Sequence, residues 1–303
     1  MSKKLVPLFL VLLMVFSTAV SLAEDTGITV TDMYGREITL AEPATRIVVM
    51  QPSDCEILCA IGCEDAIVGR GQYVDYPASI LDVPVVQSGS ETNVEEILKL
   101  QPQVVLMNSM DQSEEQVKQL EDNGVKVVVS NTSNIESVYT AIRLAGALMG
   151  KDAEAEAVIT DMETTFNEIK AKVSGDPKKV YFEISPPPYL YSAGSSSYMN
   201  ELAEICGVKN IFDDQADAWL MISEEQVIER NPDYIVLITN MGSQGVEEIL
   251  SRNGWGDINA IKNQKVFNDE DNCMARPSPR LKDAAIELFN FVNGIEAEEK
   301  PAA

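Results

Sequence analysis

The chain has 303 residues, of which 48 are Asp or Glu and 23 are Lys or Arg, so its formal net charge is −25. Such an acidic surface repels nucleic acid and anionic lipid and suits a basic protein partner. The sequence contains no histidine, which excludes Ser-His-Asp and Cys-His catalysis as well as His-ligated zinc or haem.

Residues 1–23 have the pattern of a secretory signal peptide. Lys3 and Lys4 precede an apolar run from Leu5 to Val20, and Ser21-Leu22-Ala23 offers a small-x-small cleavage site. The run falls short of the roughly 20 residues that a membrane span requires. No Cys stands at the cleavage point, so the pattern of a lipid-anchored protein is missing. We therefore expect a mature chain that is exported through the inner membrane and is periplasmic or extracellular.

Residues 24–150 alternate short apolar strands with amphipathic helices, which predicts an α/β lobe with a parallel sheet covered on both faces. The predicted elements are a hairpin (28–40), a strand (46–50), a helix from Pro52 through Ile61, a strand (66–69), a long loop (70–90), a helix (94–100), a strand (103–107), a helix (113–122) and a strand (125–129).

Three of the five cysteines, Cys55, Cys59 and Cys63, are spaced four apart. This spacing predicts that they share one face of the helix that follows Pro52. A soft-metal site is one interpretation, and small buried core residues are the other. A disulfide between positions i and i+4 of a helix fits poorly, because the Cβ vectors run parallel. We expect core residues and no metal site.

Residues 135–173 have a helical pattern that Gly150-Lys151-Asp152 interrupts. Its second part, within 151–174, predicts a helix about 30 Å long that can brace two lobes. Residues 175–295 then repeat the α/β pattern, and 296–303 are expected to form a disordered tail. The predicted elements of this second lobe include strands (179–184, 210–212 and 265–267) and helices (199–205, 245–251 and 279–293).

A repeated unit relates the two halves. Asn93 to Leu106 recurs 130 positions later as Ser223 to Val236. Each copy has a helix-capping residue, a Glu two places later, a short amphipathic helix, a Pro and an apolar strand. Two copies of one supersecondary unit predict two Rossmann-like lobes with parallel sheets, and clefts between such lobes bind ligands.

Two long aromatic loops, 70–90 and 185–198, follow predicted strands at their carboxyl ends, where α/β sheets place ligands. Flat aromatic rings suit the face of a macrocycle. Tyr198 belongs to the same aromatic group, whereas Tyr181 and Tyr234 lie within strands and are expected to pack in the core. The candidate ligand-binding residues are Arg70, Tyr73, Tyr76, Tyr189, Tyr191, Trp219 and Arg276.

Several motifs together resemble a known family. They are Val30-Thr31-Asp32 with Gly35-Arg36, Pro43 with Arg46-Ile47-Val48, Ile67-Val68-Gly69, the two Glu repeats, and the ending Arg276-Pro277-Ser278-Pro279-Arg280-Leu281. Over nearly all of the mature chain, the sequence resembles the metal-chelate class of ABC-transporter substrate-binding proteins, which carry siderophores, haem and cobalamin.

The resemblance implies a monomer without enzymatic activity, in which one rigid helix joins two lobes. It implies a chelate held without a covalent bond, and a permease dimer with its ATPase as partner. It also implies that Glu95 and Glu225 dock onto permease arginines. An exposed Glu at equivalent places in two lobes is suited to a two-point electrostatic contact.

The ligand is less defined than the family. Asp75-Tyr76-Pro77 and Trp219 resemble the cobalamin-binding members, and few arginines stand near the predicted cleft, which favours a corrinoid over an anionic siderophore. Haem, with Tyr191 or Met274 as iron ligand, remains an alternative. A tetrapyrrole-processing enzyme is the alternative from another class, and its acid–base candidates are Asp54, Asp75 and Glu183.

Overall fold

The computed structural model describes residues 27–88, 92–108, 113–238 and 243–295. The predicted signal peptide and the predicted tail both lie outside the described residues. The first described element is an antiparallel hairpin that pairs β1 (Ile28–Thr31) with β2 (Glu37–Leu40).

The first lobe is built on a five-stranded parallel sheet with the order β5-β4-β3-β6-β7. Strands β3, β6 and β7 are rich in β-branched residues and are buried on both faces, as expected for a parallel sheet between helices. In the central strand, Ile47 and Val49 face one apolar cluster and Val48 faces another. The elements are β3 (Ile47–Val49), α1 (Pro52–Ala60), β4 (Ile67–Gly71), β5 (Val85–Val86), α2 (Val94–Lys99), β6 (Val104–Asn108), α3 (Glu114–Asp122) and β7 (Lys126–Ser130).

Two long helices, α4 (Ile135–Met149) and α5 (Asp152–Lys172), form an antiparallel pair. The pair packs tightly where Gly146 meets Ala155, because a Cβ on Gly146 would lie only 2.7 Å from that of Ala155. Gly146 therefore sets the separation of the two helices.

The second lobe carries a four-stranded parallel sheet with the order β10-β8-β12-β13 and a separate antiparallel pair, β9 with β11. Its elements are β8 (Lys178–Glu183), β9 (Tyr191–Ala193), α6 (Tyr198–Ile205), β10 (Val208–Asn210), β11 (Trp219–Met221), α7 (Glu224–Arg230), β12 (Tyr234–Leu237), α8 (Ser243–Ser251), α9 (Asn259–Lys262), β13 (Val266–Asn268) and α10 (Leu281–Asn293).

Helix α5 connects the apolar cores of the two lobes. It contacts α4 on one side and α6 and α10 on the other. Its buried residues, among them Met162 and Phe166, belong to one apolar cluster that runs from Ile47 in the first sheet to Leu288 in α10. A hinge that passes through a continuous core resists bending, because opening it would expose close-packed apolar surface to water.

The predicted α/β fold with two parallel sheets is confirmed, two local predictions were wrong, and one pair of strands was missed. The strand predicted at 210–212 is β10, two residues earlier, because Gly207 ends the preceding turn and the chain then bends at Ile211. The pair β9–β11 was not predicted. Helix α1 ends at Ala60, so Cys63 lies beyond it and does not share its face with Cys55 and Cys59.

We expect Phe166→Ala to lower the free energy of unfolding by about 3–5 kcal/mol, because it opens a cavity in the core that both lobes share. Glu168→Ala is the matched control, since Glu168 lies on the same helix and is exposed. Chemical denaturation followed by circular dichroism measures both. A loss below about 1 kcal/mol for Phe166→Ala would show that α5 does not pack in a core that both lobes share.

Candidate functional site

The carboxyl ends of the two parallel sheets face each other. Strand β3 leads into α1, which carries Glu56, and β4 leads into a loop with Asp75 and Tyr76. Strand β13 leads into the segment that contains Arg276 and Arg280. Arg276 and Arg280 contact those residues of the first lobe. Folds of this class bind ligands between the carboxyl ends of their sheets, so we take the region beside these contacts as the candidate ligand site and call it the interlobe cleft.

The β9–β11 pair presents an aromatic face. Side chains alternate along a strand, and Tyr191 stands directly opposite Met221 in the register. Trp219 shares their face, whereas Ser192 and Leu220 face the other way, Ser192 being fully buried and Leu220 packed against the core of the second lobe. Tyr191, Trp219 and Met221 are exposed by 39%, 42% and 69%. Exposed apolar side chains grouped on one face indicate a binding surface.

A buried tyrosine supports this aromatic face. The ring of Tyr198 meets Trp219 edge-on, with centroids 5.6 Å apart, and Tyr198 itself is buried. Tyr198, which the sequence placed among the cleft aromatics, thus supports the face rather than forming it. A Cβ on Gly194 would lie 2.1 Å from the Asp217 carbonyl oxygen, so only glycine allows β9 to approach this segment. Tyr189, just before β9, is exposed.

The loop after β4 forms the opposite side of the cleft. Tyr73 and Tyr76 are exposed there. Arg70, predicted to contact the ligand, is buried, and its guanidinium donates to the backbone carbonyls of Val83, Val74 and Leu81 at 3.1, 2.7 and 3.2 Å. The structure therefore gives Arg70 the role of shaping the loop that carries the two tyrosines.

A buried carboxylate joins the lobes at the cleft. Glu56 accepts hydrogen bonds from Arg276 Nη1 at 3.1 Å and from Arg280 Nη1 at 3.2 Å, and from the Ser278 hydroxyl. Arg276 Nη2 also lies 2.7 Å from Asp75 Oδ1. The Arg280 guanidinium lies over the Tyr76 ring, 3.9 Å from its centroid. The sequence predicted a role for Arg276 but none for Glu56, because the partners of Glu56 are more than 200 positions away in the chain.

Asp269, Cys273 and Glu287 bring three metal-ligating atoms within 4.8 Å of one another in the described part of the chain. The Asp269 carboxylate, however, accepts hydrogen bonds from the backbone N–H groups of Cys273, Met274 and Ala275. Arg280 Nη2 lies 3.0 Å from the Cys273 sulfur. A cation would compete with this guanidinium, so the group serves to hold the turn that carries Arg276.

The cysteines of the first lobe lie in the core. Cys55 and Cys63 are buried within the main apolar cluster, and Cys59 packs against it. A hydrogen bond with Cys59 and burial raise the pKa of Cys55, and burial raises that of Cys63. A raised pKa lowers the fraction of thiolate on Cys55 and Cys63.

Three of the residues proposed for the alternative functions are engaged or buried. Asp54 accepts a hydrogen bond from Ser130 Oγ at 3.0 Å. Burial raises the pKa of Glu183 even though Arg252 Nη1 lies 2.7 Å from its carboxylate. Met274 is fully buried, so its sulfur cannot reach a haem in the cleft without unfolding the turn.

Glu95 and Glu225 occupy the same place in the two lobes. Asn93 caps α2 and Ser223 caps α7, and in each helix the second residue is the exposed Glu. Helices that connect the strands of a parallel sheet run antiparallel to those strands, so we expect the first residues of α2 and α7 at the carboxyl edge of each sheet. Hydrogen bonds from its own backbone N–H and from the Ser223 hydroxyl hold the pKa of Glu225 below its ordinary value.

Glu224 differs from its neighbour Glu225. Its carboxylate accepts a hydrogen bond of 2.8 Å from the indole N–H of Trp255, which is fully buried and lies under Arg252. Glu224 is therefore part of the structure of the second lobe, which leaves Glu225 as the acidic side chain available to a partner. The repeat had already selected Glu225 by its position, and the contact of Glu224 with a residue 31 positions away adds a structural reason for that choice.

Comparison with known proteins identifies the family. Residues 47–272 match the family model for periplasmic binding proteins, and the chain belongs to this family. The family consists of solute-binding proteins rather than enzymes. Within the described segments, no helix is long and apolar enough to cross a membrane.

Individual relatives agree with this assignment. An uncharacterized ABC transporter substrate-binding lipoprotein of Bacillus subtilis, YvrC, is 31% identical over 88% of this chain and 85% of its own length. A vitamin B12-binding protein of Salmonella choleraesuis is 27% identical over 83% of this chain and 91% of its own. The solved structure of the haem-binding protein RhuT from Roseiflexus has a TM-score of 0.73 and 20% identity, covers 84% of this chain and all (100%) of its own, and shows the fold alone.

We expect Glu224→Ala to lower the free energy of unfolding by about 1–3 kcal/mol, because it leaves the buried indole N–H of Trp255 without its acceptor. Glu225→Ala removes an exposed carboxylate one position away and should change this free energy by less than about 0.5 kcal/mol. Urea denaturation of both variants measures the difference. Equal losses would show that the Trp255 contact does not stabilise the lobe.

Proposed function

We propose that this protein is the extracytoplasmic binding component of an ABC importer and delivers a cobalamin-like corrinoid to its permease. The observation that carries the proposal is the exposed aromatic face of β9 and β11 at the interlobe cleft. A corrin presents a broad apolar ring, and aromatic side chains bind such a surface through apolar contact and stacking.

The charges at the cleft favour a corrinoid over anionic chelates. Arg276 and Arg280 are paired with Glu56 and Asp75, and Arg70 is engaged with backbone carbonyls. A siderophore or haem with several negative charges needs cationic partners, and in the described part of the cleft these three guanidiniums are already engaged. The B12-binding relative supports the same choice.

A haem or siderophore binder in the same transport role is the second candidate. The half-exposed Tyr191 phenol favours it, because a tyrosine can ligate haem iron. The signal-peptide pattern of residues 1–23 supports export. Lipid anchoring, as the name of YvrC states for that protein, is not part of the proposal, because the cleavage point lacks a Cys.

Docking on the permease completes the proposed role. Glu95 and Glu225, one on each lobe at the cleft edge, suit a permease dimer that presents basic groups. Two equivalent contacts orient the cleft mouth over the entry of the permease, and exposed charges also speed the encounter.

For the ligand, we expect cyanocobalamin to quench most of the Trp219 emission. Trp219→Phe should remove most of this quench and leave the smaller contribution of the buried Trp255, after correction for light absorbed by the ligand. Trp219→Ala should weaken binding by about 1–3 kcal/mol, because one aromatic contact surface is lost. Tyr34→Ala is the control, since Tyr34 is an exposed aromatic residue of the β1–β2 hairpin and not of the β9–β11 pair. If Trp219→Phe keeps the full quench, the aromatic face is not the corrinoid site.

For docking, Glu95→Arg combined with Glu225→Arg should abolish corrinoid uptake in the native host while the affinity for ligand stays within about twofold. Reversed charges would face the permease cations across a partly desolvated interface. Glu168→Arg with Asp176→Arg is the control, because it makes the same charge change at exposed positions away from the cleft. Normal uptake by the first pair, or loss of ligand binding, would contradict the docking role.

A further inference from the structure

The four charged groups at the cleft form one network across the lobes. Glu56, from the first lobe, is almost fully buried, with 2% of its side chain exposed, and it faces both arginines of the second lobe. Asp75 contributes a second carboxylate from the first lobe, and 56% of its side chain is exposed. The network therefore contains two cations and two anions. Of the anions, Glu56 is buried and Asp75 borders the cleft.

Each arginine makes more than one contact. Arg276 gives Nη1 to Glu56 and Nη2 to Asp75, so both ends of its guanidinium fork are occupied by carboxylates. Arg280 donates to the Asp271 carbonyl at 2.9 Å and lies over the ring of Tyr76. An incoming anion could pair with either end of the Arg276 fork only in competition with a carboxylate that is already there.

The network contains one carboxylate more than a link between the lobes would need. Holding the lobes together would require one carboxylate on the two arginines. The second carboxylate, Asp75, is exposed at the cleft and cancels the remaining positive charge there. In a chain of net charge −25, we expect such a cleft to repel an approaching anion.

We propose that Glu56 and Asp75 determine specificity by neutralising Arg276 and Arg280, so that the cleft admits chelates without net negative charge and rejects anionic ones. The proposal rests on the proposed chelate-binding function and narrows its substrate class. Glu56 acts through the arginines as a positioning residue, and Asp75 borders the ligand space.

The sharpest test uses two ligands of the same shape. Cyanocobalamin carries no net charge, and each of its monocarboxylic acids, in which one side-chain amide has become a carboxylate, carries one negative charge. Calorimetry should show that the wild type prefers the amide form. In Asp75→Asn the preference should fall by about three- to tenfold for at least one of these acids, because one anion has left the network. Asp176→Asn, with the same charge change at an exposed loop, should keep the wild-type preference.

Glu56→Gln should shift the preference in the same direction, while Glu56→Gln with Arg276→Gln restores the neutral balance and should return it toward that of the wild type. A role limited to packing predicts a different pattern, in which both ligands weaken equally and the double variant is worse than either change alone. Asp75→Asn tests the claim even if the Glu56 variants unfold, because Asp75 is exposed.

A second ligand pair separates this inference from the choice of a corrinoid. If the wild type binds no corrinoid, the proposed ligand is wrong. The same variants are then tested with a neutral ferric trishydroxamate and a triply negative ferric triscatecholate. If the wild type prefers the neutral complex and this preference falls in Asp75→Asn, the charge selection is upheld. If the preference is the same in both proteins, the charge selection is overturned. If the wild type binds none of these chelates, both proposals are overturned.

Discussion

The geometry of the cleft depends on how the two lobes are held at a fixed separation. Two features do this, the apolar core that continues through α5 and the buried carboxylate of Glu56. A carboxylate removed from water is stable only when several donors satisfy it, and here two arginines and a serine from the other lobe do so. Parting the lobes would strip these donors away. The lobes therefore keep their spacing, and the ligand meets a preformed site.

The ligand surface follows from this frame. The aromatic face of the second lobe lies on a two-stranded sheet, which fixes which side chains point outward, and Tyr198 holds Trp219 from behind. On the first lobe, Arg70 shapes the loop that carries Tyr73 and Tyr76, and Arg280 supports the Tyr76 ring. Rigid rings that are placed in advance lose little conformational entropy on binding. The same contacts also pair the local positive charges, which supports the proposal of a broad, uncharged ligand.

Much of the fold could be predicted from local patterns. The two Glu repeats, the apolar runs and the long acidic helix were sufficient to predict two parallel sheets with α5 between them, because strand and helix periodicities act over a few residues. The β9–β11 pair was missed, since its strands have three residues each and are separated by 25 intervening residues. The roles of Glu56, Arg70 and Glu224 depend on partners distant in sequence or on backbone carbonyls, neither of which leaves a local pattern. Met274 was a plausible haem ligand in the sequence and is buried in the structure.

The central claim is that the cleft carries a corrinoid, and the most direct measurement is made on protein purified from its native host with its ligand still bound. Visible absorption and native mass spectrometry together identify the class of the bound molecule. The account predicts the absorption bands of a corrin ring and a bound mass of one cobalamin-type molecule per chain. A haem Soret band, or the mass of a ferric siderophore, would contradict it.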